Sequence, residues 1–458
     1  MRQMSVWFSV CGVVLALGAT LASAGKLATA GPNPVWGTSA PITSSAIAYA
    51  GGPQMGQDAL GHQHLIFDFC SGSCGLFYTQ RTPDGNWLPL ETPPGLTSIR
   101  YSESLLVSSD GTAHVFWSDT SGGLTTGFHY VQRDPSGGWG QPEERGFLGT
   151  RLLGYEHNGT LYIVGDSLNI RAPDGTWTTE PFPGFVYSFA IGPNGQQSLL
   201  YRDGYYDLAL TTRQVGDPWG IGNLIASTQA GLNAAKLVLD NSGNPRIIWR
   251  DNATYDCFPF TCNGFGLHYR ESNSGTWSPP EDLALLKGQY EFVSSDLAIA
   301  DDGTLYVAWS SDEELKSQPS AFVSRRRGAN DWITPTVYSG FSVKLLAEQG
   351  TIHAFWQYQG YTLFHWIAYS REGYWSYPGS VANSSNVALS YDVDPDIDGS
   401  GRLHLFWPDR GDTFRLMYRS WDAANVPTPI PTVTATVPTP TATPIPQNQR
   451  VYLPGLSK

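Results

Sequence analysis

The segment Ser108-Ser109-Asp110-Gly111-Thr112-Ala113-His114-Val115-Phe116-Trp117 contains the pattern that decides the fold of this chain. A tight turn ends at a glycine, and a mostly apolar strand then ends six residues later at a large side chain. The pattern recurs along the chain, with glycines roughly fifty residues apart, a period typical of repeat architectures. The paired positions are Gly61 and Phe67, Gly111 and Trp117, Gly159 and Gly165, Gly195 and Tyr201, Gly243 and Trp249, Gly303 and Trp309, Gly350 and Trp356, and Gly401 and Trp407. Only Gly165 departs from the rule of an aromatic residue at the second position.

Each repeat contains signals for four short antiparallel strands. In the second repeat, an apolar run ends at Asp110-Gly111, and strands are predicted over residues 113–117 and 127–133. An edge strand then begins at Trp139. Asx-Gly between apolar runs favours a hairpin, because both residues tolerate a positive φ. Four-stranded units repeated in this way predict an all-β fold, a β-propeller.

The number of blades follows from the fourth strands. Seven repeats have a fourth strand that starts at an aromatic residue, whereas the last repeat stops at Trp421. The missing pattern stands at the other end of the chain, in Val35-Trp36-Gly37-Thr38. We therefore expect residues 31–425 to form one propeller of eight four-stranded blades, the last closed by the N-terminal strand, because closure removes exposed sheet edges. Seven blades are the alternative, if the short third repeat is irregular.

Composition and terminal segments indicate an exported protein. The 458 residues carry a formal net charge of −13, which argues against nucleic acid as a partner. Residues 1–24 read as a signal peptide, with Arg2, an apolar stretch over 6–21 and a cleavage site at Ala22-Ser23-Ala24. No further transmembrane segment is expected. Residues 426–446 are a Pro/Thr-rich linker, and 447–458 are a short tail. These features predict a monomer that is secreted or held at the cell surface.

Four cysteines remain once the signal peptide is removed. They form two local pairs, Cys70 with Cys74 and Cys257 with Cys262. In an exported chain, local disulfides are the first interpretation. A zinc site would require the two distant pairs to meet, so no metal site is assigned.

Carboxylates recur eight residues after the turn glycine, where each would end a second strand and open a loop. Their structural interpretation is the capping of a turn by the carboxylate. Their functional interpretation is a rim that binds sugar hydroxyls or Ca²⁺, with stacking aromatics from the inserted loop of the fifth repeat, residues 252–264. No other cofactor is expected. The candidate rim residues are Asp119, Asp203, Asp251, Asp409, Tyr255, Phe258 and Phe260.

Two further sets of residues recur at equivalent positions of the repeats. Histidine stands three residues after the glycine in four repeats, at His64, His114, His353 and His404, and we expect it to pack or to form hydrogen bonds. The innermost strands carry charged residues that would line a central channel, at Glu103, Lys236, Asp296 and Lys344. Glu103 and Asp296 are the candidates for a catalytic pair, although no catalytic residue is assigned.

Three turn segments resemble the Asp-box of sialidase-like propellers. They lie at 84–87, 174–177 and 272–277, and the family's box runs Ser-x-Asp-x-Gly-x-Thr-Trp. The resemblance implies a propeller fold. In catalytic members it also implies glycoside hydrolysis, with an early Phe-Arg-Ile-Pro, an arginine triad and a Tyr–Glu pair. This chain has no such early motif.

These observations lead to two functional expectations. The first is a secreted or surface-attached, non-catalytic binding module for extracellular glycan or protein. The alternative is a sialidase-like glycoside hydrolase that uses the channel carboxylates, which would have to stand about 5–10 Å apart.

Overall fold

The computed structural model describes most of the predicted repeat region and contains only β-strands. No helix occurs among the described residues, and none there could therefore span a membrane. The signal peptide, the linker and the tail lie outside these residues, so the predictions about them stay predictions. The described residues are 36–43, 49–71, 73–96, 100–121, 124–145, 153–228, 231–257, 260–287, 291–312, 320–333, 335–348, 351–357, 364–369, 379–380, 394–398, 402–409 and 415–421.

The strands of the first half of the chain are short and follow one another through tight turns. They are β1 (Ala40–Pro41), β2 (Tyr49–Gln57), β3 (Gln63–Ser71), β4 (Ser73–Arg81), β5 (Arg100–Val107), β6 (Ala113–Ser121), β7 (Leu124–Arg133), β8 (Glu143–Arg145), β9 (Leu153–His157), β10 (Thr160–Val164), β11 (Ser167–Arg171), β12 (Trp177–Pro181), β13 (Phe185–Ile191), β14 (Gln197–Asp203), β15 (Asp207–Arg213) and β16 (Asn223–Ser227).

The second half continues in the same manner, with one longer pair of strands. The strands are β17 (Leu232–Leu239), β18 (Pro245–Cys257), β19 (Phe260–Asn273), β20 (Thr276–Trp277), β21 (Glu281–Lys287), β22 (Glu291–Ile299), β23 (Leu305–Asp312), β24 (Ser320–Gly328), β25 (Asp331–Trp332), β26 (Thr336–Ser339), β27 (Phe341–Glu348), β28 (Thr351–Gln357), β29 (Phe364–Tyr369), β30 (Gly379–Ser380), β31 (Asp394–Ile397), β32 (Leu403–Asp409) and β33 (Arg415–Trp421).

Among the described residues, these strands form eight antiparallel sheets, one for each repeat. The first sheet contains β2–β4, and its fourth strand is reduced to bridges at Trp87 and Glu91. The second, third and fourth sheets contain β5–β8, β9–β12 and β13–β16. The fifth and sixth contain β17–β21 and β22–β26, and the seventh contains β27–β30. The short third repeat therefore forms a regular four-stranded sheet of its own.

The eighth sheet joins the two ends of the described chain. Its order is β1-β33-β32-β31, with Ala40 opposite Tyr418. The Gly37 amide also donates to the Ser420 carbonyl over 2.9 Å, and Trp36 is buried in one cluster with Trp407. The prediction that the N-terminal segment completes the last sheet is thus confirmed. The strand pairing with β33 is formed by Ala40 and Pro41 rather than by the predicted residues Val35–Thr38. Trp36 instead packs into a buried cluster.

Neighbouring sheets pack face to face through apolar side chains. First strands contact one another in succession: β2 with β5, β5 with β9, β13 with β17, β17 with β22, β22 with β27, and β27 with β31. Strand β9 meets β13 through Tyr155 and Phe189, whose ring centroids are 5.0 Å apart. Strand β31 then contacts β2 of the first sheet. The core is consequently divided into separate layers between sheets.

The turn glycines adopt the backbone conformation that their positions require. Gly111 and Gly303 have φ values of 92° and 83°, a region that side-chain-bearing residues rarely occupy. Each closes the turn between the first and second strands of its sheet, where the Gly111 amide donates to the Ser108 carbonyl over 2.9 Å. The repeat pattern thus marks a conformational need rather than a site.

The recurring histidines have the structural role that the sequence predicts. All four are buried. His64, His114 and His404 each share a hydrogen bond of 2.7–2.9 Å with a tyrosine hydroxyl on the third strand of the same sheet. Burial lowers the pKa of His114 to about 4. This ring is therefore neutral at pH 7.

A repeated polar cluster, here called the interface cluster, ties the third strand of one sheet to the next sheet. Between the first and second sheets, the Arg133 guanidinium lies 2.7 Å from the Glu91 carboxylate and 4.8 Å from the centroid of the Tyr78 ring. The Trp139 indole donates to Glu91 over 2.7 Å. The other copies that have all four groups consist of Tyr130, Glu143, Arg171 and Trp177, and of Tyr269, Glu281, Arg326 and Trp332.

The copy that joins the eighth sheet to the first lacks its carboxylate. Arg81 lies 5.0 Å from the Tyr418 ring centroid, and Trp87 contacts the same ring edge-on. Ala40 pairs with Tyr418 in the register in which Glu91 pairs with Tyr78. The Nε atom of Arg81 is buried and has no hydrogen-bond partner among the described residues.

Candidate functional site

The connections between second and third strands form one end of each sheet, here called the hairpin rim. Asp203 and Asp409 end their second strands, as predicted. Asp119 and Asp251 instead lie inside β6 and β18, which continue to Ser121 and Cys257. The prediction that these two residues open loops is wrong, because both strands extend as paired hairpins past the carboxylate.

The inserted loop predicted over 252–264 is largely a β-hairpin. Pairing of β18 with β19 continues without interruption from Asn252 opposite Phe265 to Cys257 opposite Phe260. Tyr255 lies in this pairing, opposite Cys262, while Phe258 lies outside the described residues. The side chains of Asp119, Asp409, Tyr255 and Phe260 are also outside the described part, so their roles as ligands stay predictions.

The cysteines lie in two of these hairpins, and only their backbones are described. Cys70 stands directly opposite Cys74 where β3 pairs with β4. Cys257 and Cys262 stand diagonally, with partners Phe260 and Tyr255. Both pairs are thus close neighbours along a hairpin, and the disulfides remain a prediction.

Asp251 belongs to a cluster of ionisable groups on the fifth sheet. Its Oδ1 atom lies 3.0 Å from Nε2 of His268, whose Nδ1 lies 2.7 Å from Oδ1 of Asp282. The His268 ring stacks on Trp249 with centroids 5.1 Å apart. Burial disfavours the charged ring, but Asp251 and then Asp282 outweigh this effect and raise the pKa of His268. The His268 ring therefore bridges the two carboxylates, which both favour its charged form.

The fourth sheet places a group of exposed aromatic side chains at its hairpin rim. Tyr205 and Tyr206 form the tip between β14 and β15, with exposed fractions of 67% and 46% and ring centroids 4.9 Å apart. Phe185, at the start of β13, is 52% exposed. Among the residues whose side chains the structure describes, these are all the exposed aromatic side chains. The Arg202 guanidinium lies between two of them, 5.0 Å from the Phe185 ring centroid and 5.8 Å from that of Tyr205.

Strand alternation decides which side chains share a face. Tyr201 packs toward the third sheet and Leu200 toward the fifth, so Asp203 and Arg202 project from opposite faces of β14. Trp249 packs toward the fourth sheet, and Asp251 lies on the same face of β18. The aromatic group with Arg202 and the His268 cluster therefore belong to facing walls of the gap between the fourth and fifth sheets.

Contacts at the base of this gap join its two walls. The Tyr187 hydroxyl donates to the Leu232 carbonyl over 3.1 Å, and Leu232 pairs with Asp251. A Cβ atom at Gly231 would lie 3.9 Å from Cε1 of Tyr205 and 4.0 Å from Nδ2 of Asn252. These contacts join the fourth and fifth sheets beside the aromatic group, so the two groups of side chains lie at one stretch of the rim between these sheets. We call this stretch the rim groove.

The channel candidates are used in contacts between inner strands. Lys236 forms an ion pair with Asp296. The two carboxylate oxygens of Asp296 also accept from the amides of Leu297 and Leu345, over 2.9 and 2.7 Å. A carboxylate held by these three donors joins the fifth, sixth and seventh sheets. The Gln54 side-chain amide donates to the backbone carbonyl of Glu103, and this hydrogen bond joins the inner strands of the first two sheets.

A second groove, of about 280 Å³, lies at the opposite end of the fifth and sixth sheets. Its charged side chains neutralise one another, since Arg246 lies 2.7 Å from Asp240, and Arg326 lies 2.9 Å from Glu271 and 2.7 Å from Glu281. This groove is therefore part of the contact between two sheets rather than an open set of ligand groups.

No protein-family model matches the chain, and no curated protein is similar to it in sequence. Several solved structures are similar to it in shape. A lectin from Burkholderia pseudomallei has a TM-score of 0.47 and 14% identity, over 74% of this chain and 99% of the lectin. The NanB sialidase from Streptococcus pneumoniae has a TM-score of 0.34 and 11% identity, over 84% of this chain and 70% of the sialidase.

An α-L-arabinanase from Penicillium chrysogenum has a TM-score of 0.38 and 13% identity, over 86% of this chain and all of the arabinanase. Likeness at this level does not extend to a ligand or to site residues. The function of this chain must therefore be inferred from its own side chains.

Sequence reasoning identified the rim but missed the residues that make the rim groove distinctive. Tyr205 and Tyr206 follow Asp203 directly, and a glycine-containing hairpin tip with two tyrosines was the available signal. Phe185 and Arg202 are register partners on β13 and β14. Their convergence depends on strand pairing, which sequence alone does not give.

Proposed function

We propose that this chain is an exported, eight-bladed β-propeller that binds extracellular carbohydrate at its rim without cleaving it. The blade number is supported by one sheet per repeat and by the succession of contacts from β2 through β31 and back to β2. Such a ring presents its hairpin rims on one face, where loops on a rigid scaffold commonly carry binding residues.

The observation that carries this proposal is the gathering of the exposed aromatics at one place. Phe185, Tyr205 and Tyr206 lie together, whereas the large aromatic rings of the inter-sheet layers are buried. Leaving three rings in water is unfavourable unless a ligand covers them, and tyrosine supplies both an apolar face and a hydroxyl. A pyranose has the same two properties, since its C–H face can stack on a ring while its hydroxyls form hydrogen bonds.

Catalysis by the channel carboxylates receives less support. Asp296 is held by Lys236 and two backbone amides, so it is poorly placed to act as an acid or nucleophile on a sugar. A hydrolase would also require a second carboxylate at a suitable separation. Measurable cleavage of a fluorogenic sialoside, abolished by Asp296→Asn, would reverse this preference.

Binding can be tested with an immobilised array of neutral and acidic polysaccharides. We expect the protein to retain at least one of them, and Tyr205→Ala to weaken that binding about tenfold, as for a residue at the centre of a contact. Leu60→Ala is the matched control, because Leu60 is 74% exposed at the opposite end of the first sheet. If no carbohydrate is retained, or if both variants bind equally, the proposal is wrong.

A further inference from the structure

Arg202 differs from the arginines that join neighbouring sheets. Arg133, Arg213 and Arg326 each form an ion pair with a glutamate of the preceding sheet. Arg202 instead contacts the rings of Phe185 and Tyr205, and no described carboxylate forms an ion pair with it. Among the described residues, the guanidinium is thus oriented by aromatic contacts.

Neighbouring carboxylates do not supply the missing partner. Asp203 follows Arg202 in sequence but projects from the other face of β14, because successive side chains of a strand alternate. On the facing wall, Asp251 and Asp282 are both bound to His268. The raised pKa of His268 is consistent with an imidazolium that offsets part of their negative charge.

We infer that the rim groove takes an acidic carbohydrate, whose carboxylate or sulfate group binds the Arg202 guanidinium while its ring stacks on Tyr205. A guanidinium offers parallel N–H donors that match the two oxygens of either anion, and aromatic stacking leaves these donors free to bind. This inference rests on the proposed function and specifies the ligand class of that site. The whole chain carries a net charge of −13, so a preference for an anion would have to arise locally.

The test compares polymers that differ only in charge. Polygalacturonate is paired with its fully methyl-esterified form, and dextran sulfate is paired with dextran, so that carboxylate and sulfate are distinguished. We expect the full-length protein to bind at least one acidic polymer about tenfold or more tightly than its neutral partner. Arg202→Gln should abolish that preference, and Arg202→Lys should restore only part of it.

Gln214→Glu serves as the matched control. It changes the net charge by the same amount as Arg202→Gln, at an exposed position beyond the opposite end of β15. This variant should keep the preference. Melting temperatures of all variants establish that each is folded, which is expected because Arg202 makes no ion pair that joins sheets.

The outcomes separate the inference from the proposed function. If Tyr205→Ala weakens binding to neutral and acidic polymers alike while Arg202→Gln changes neither, carbohydrate binding stands and the acidic ligand class is wrong. Equal binding of wild type to the members of both pairs also overturns the acidic class. If no polymer binds, both the function and the ligand class are wrong.

Discussion

Individual histidines in this protein have opposite electrostatic settings. His268 lies between two carboxylates, which raise its pKa despite burial. His114 is buried beside a tyrosine hydroxyl and a serine, and burial lowers its pKa to about 4. The surroundings therefore favour the charged form of the ring at His268 and the neutral form at His114.

The first prediction concerns the pH dependence of His268. A base whose pKa is raised by folding stabilises the folded state fully below its unfolded pKa of about 6.5. This stabilisation is lost as the pH rises through the folded pKa. His268→Gln should therefore lower the free energy of unfolding more at pH 6 than at pH 9, as measured by urea denaturation.

A spectroscopic control accompanies that measurement. In NMR titrations of histidine-labelled protein, His268 should titrate above pH 6.5, and Asp282→Asn should shift its titration to lower pH. His114 should stay neutral down to about pH 4. A His268 titration below 6.5 would contradict the conclusion that Asp251 and Asp282 raise the pKa of this ring.

At the scale of elements, pairs of sheets are joined by the interface cluster. Each full copy combines an ion pair, an indole N–H donor and an arginine stacked on tyrosine. These groups come from the third and fourth strands of one sheet, and from the end of the third strand and the start of the fourth strand of the next. The cluster therefore resists separation of two sheets whose remaining contacts are apolar.

The second prediction removes the carboxylate from one copy. Glu91→Gln should lower the free energy of unfolding by about 1–2 kcal/mol, because Arg133 and the Trp139 indole lose a charged acceptor. The expected loss of stability is small because the Glu91 side chain is 31% exposed, and solvent weakens its ion pair with Arg133. Glu144→Gln, an exposed change in β8, should alter stability by no more than about 0.5 kcal/mol.

The third prediction supplies the carboxylate that the last interface lacks. Ala40→Glu places a carboxylate opposite Tyr418, just as Glu91 stands opposite Tyr78. Arg81 lies over the Tyr418 ring and is therefore the expected partner. We expect the free energy of unfolding to rise by about 0.5–1 kcal/mol, as measured by thermal denaturation. Combining it with Arg81→Gln should remove the gain. A gain that survives in the double variant would show that Arg81 is not the partner.

The sequence predicted the repeating elements well and their partners poorly. Turn glycines such as Gly111 and third-to-fourth strand turns such as Asp174-Gly175 depend on local conformation, which short patterns reveal. The β18–β19 hairpin was predicted as a loop, because Asp251 was read as the end of a strand. Phe185 meets Arg202, and Asp251 meets His268, across neighbouring strands of one sheet. These contacts depend on the register of strand pairing, which no local sequence pattern encodes.

At the scale of the whole molecule, the eighth sheet closes the succession of contacts. Trp36 is 7% exposed and packs with Trp407 and Trp421, and Gly37 and Ile42 donate backbone hydrogen bonds to the same sheet. The short β1 strand is therefore anchored chiefly by a buried indole and its flanking hydrogen bonds rather than by a long ladder.

The fourth prediction removes this closing segment. A chain starting at residue 44 should lose at least about 3 kcal/mol of stability, because the indole and its cavity contacts are lost and the edge of β33 is exposed. A chain starting at residue 31 should melt like the full-length protein. Adding a peptide of residues 31–43 should restore the melting temperature of the shorter chain, and absence of rescue would contradict closure by this segment.

Because β1 pairs with β33, the two ends of the described chain lie side by side, and the arrangement of the sheets does not depend on where the chain begins. Since Ala40 and Tyr418 are neighbours in one sheet, a short peptide could connect residue 421 to residue 36 without rearranging any strand. New ends could then be opened in the connection between two other sheets. Circularly permuted forms of this protein should therefore retain the rim groove, and they offer a way to place this part of the rim next to either terminus of a fusion partner.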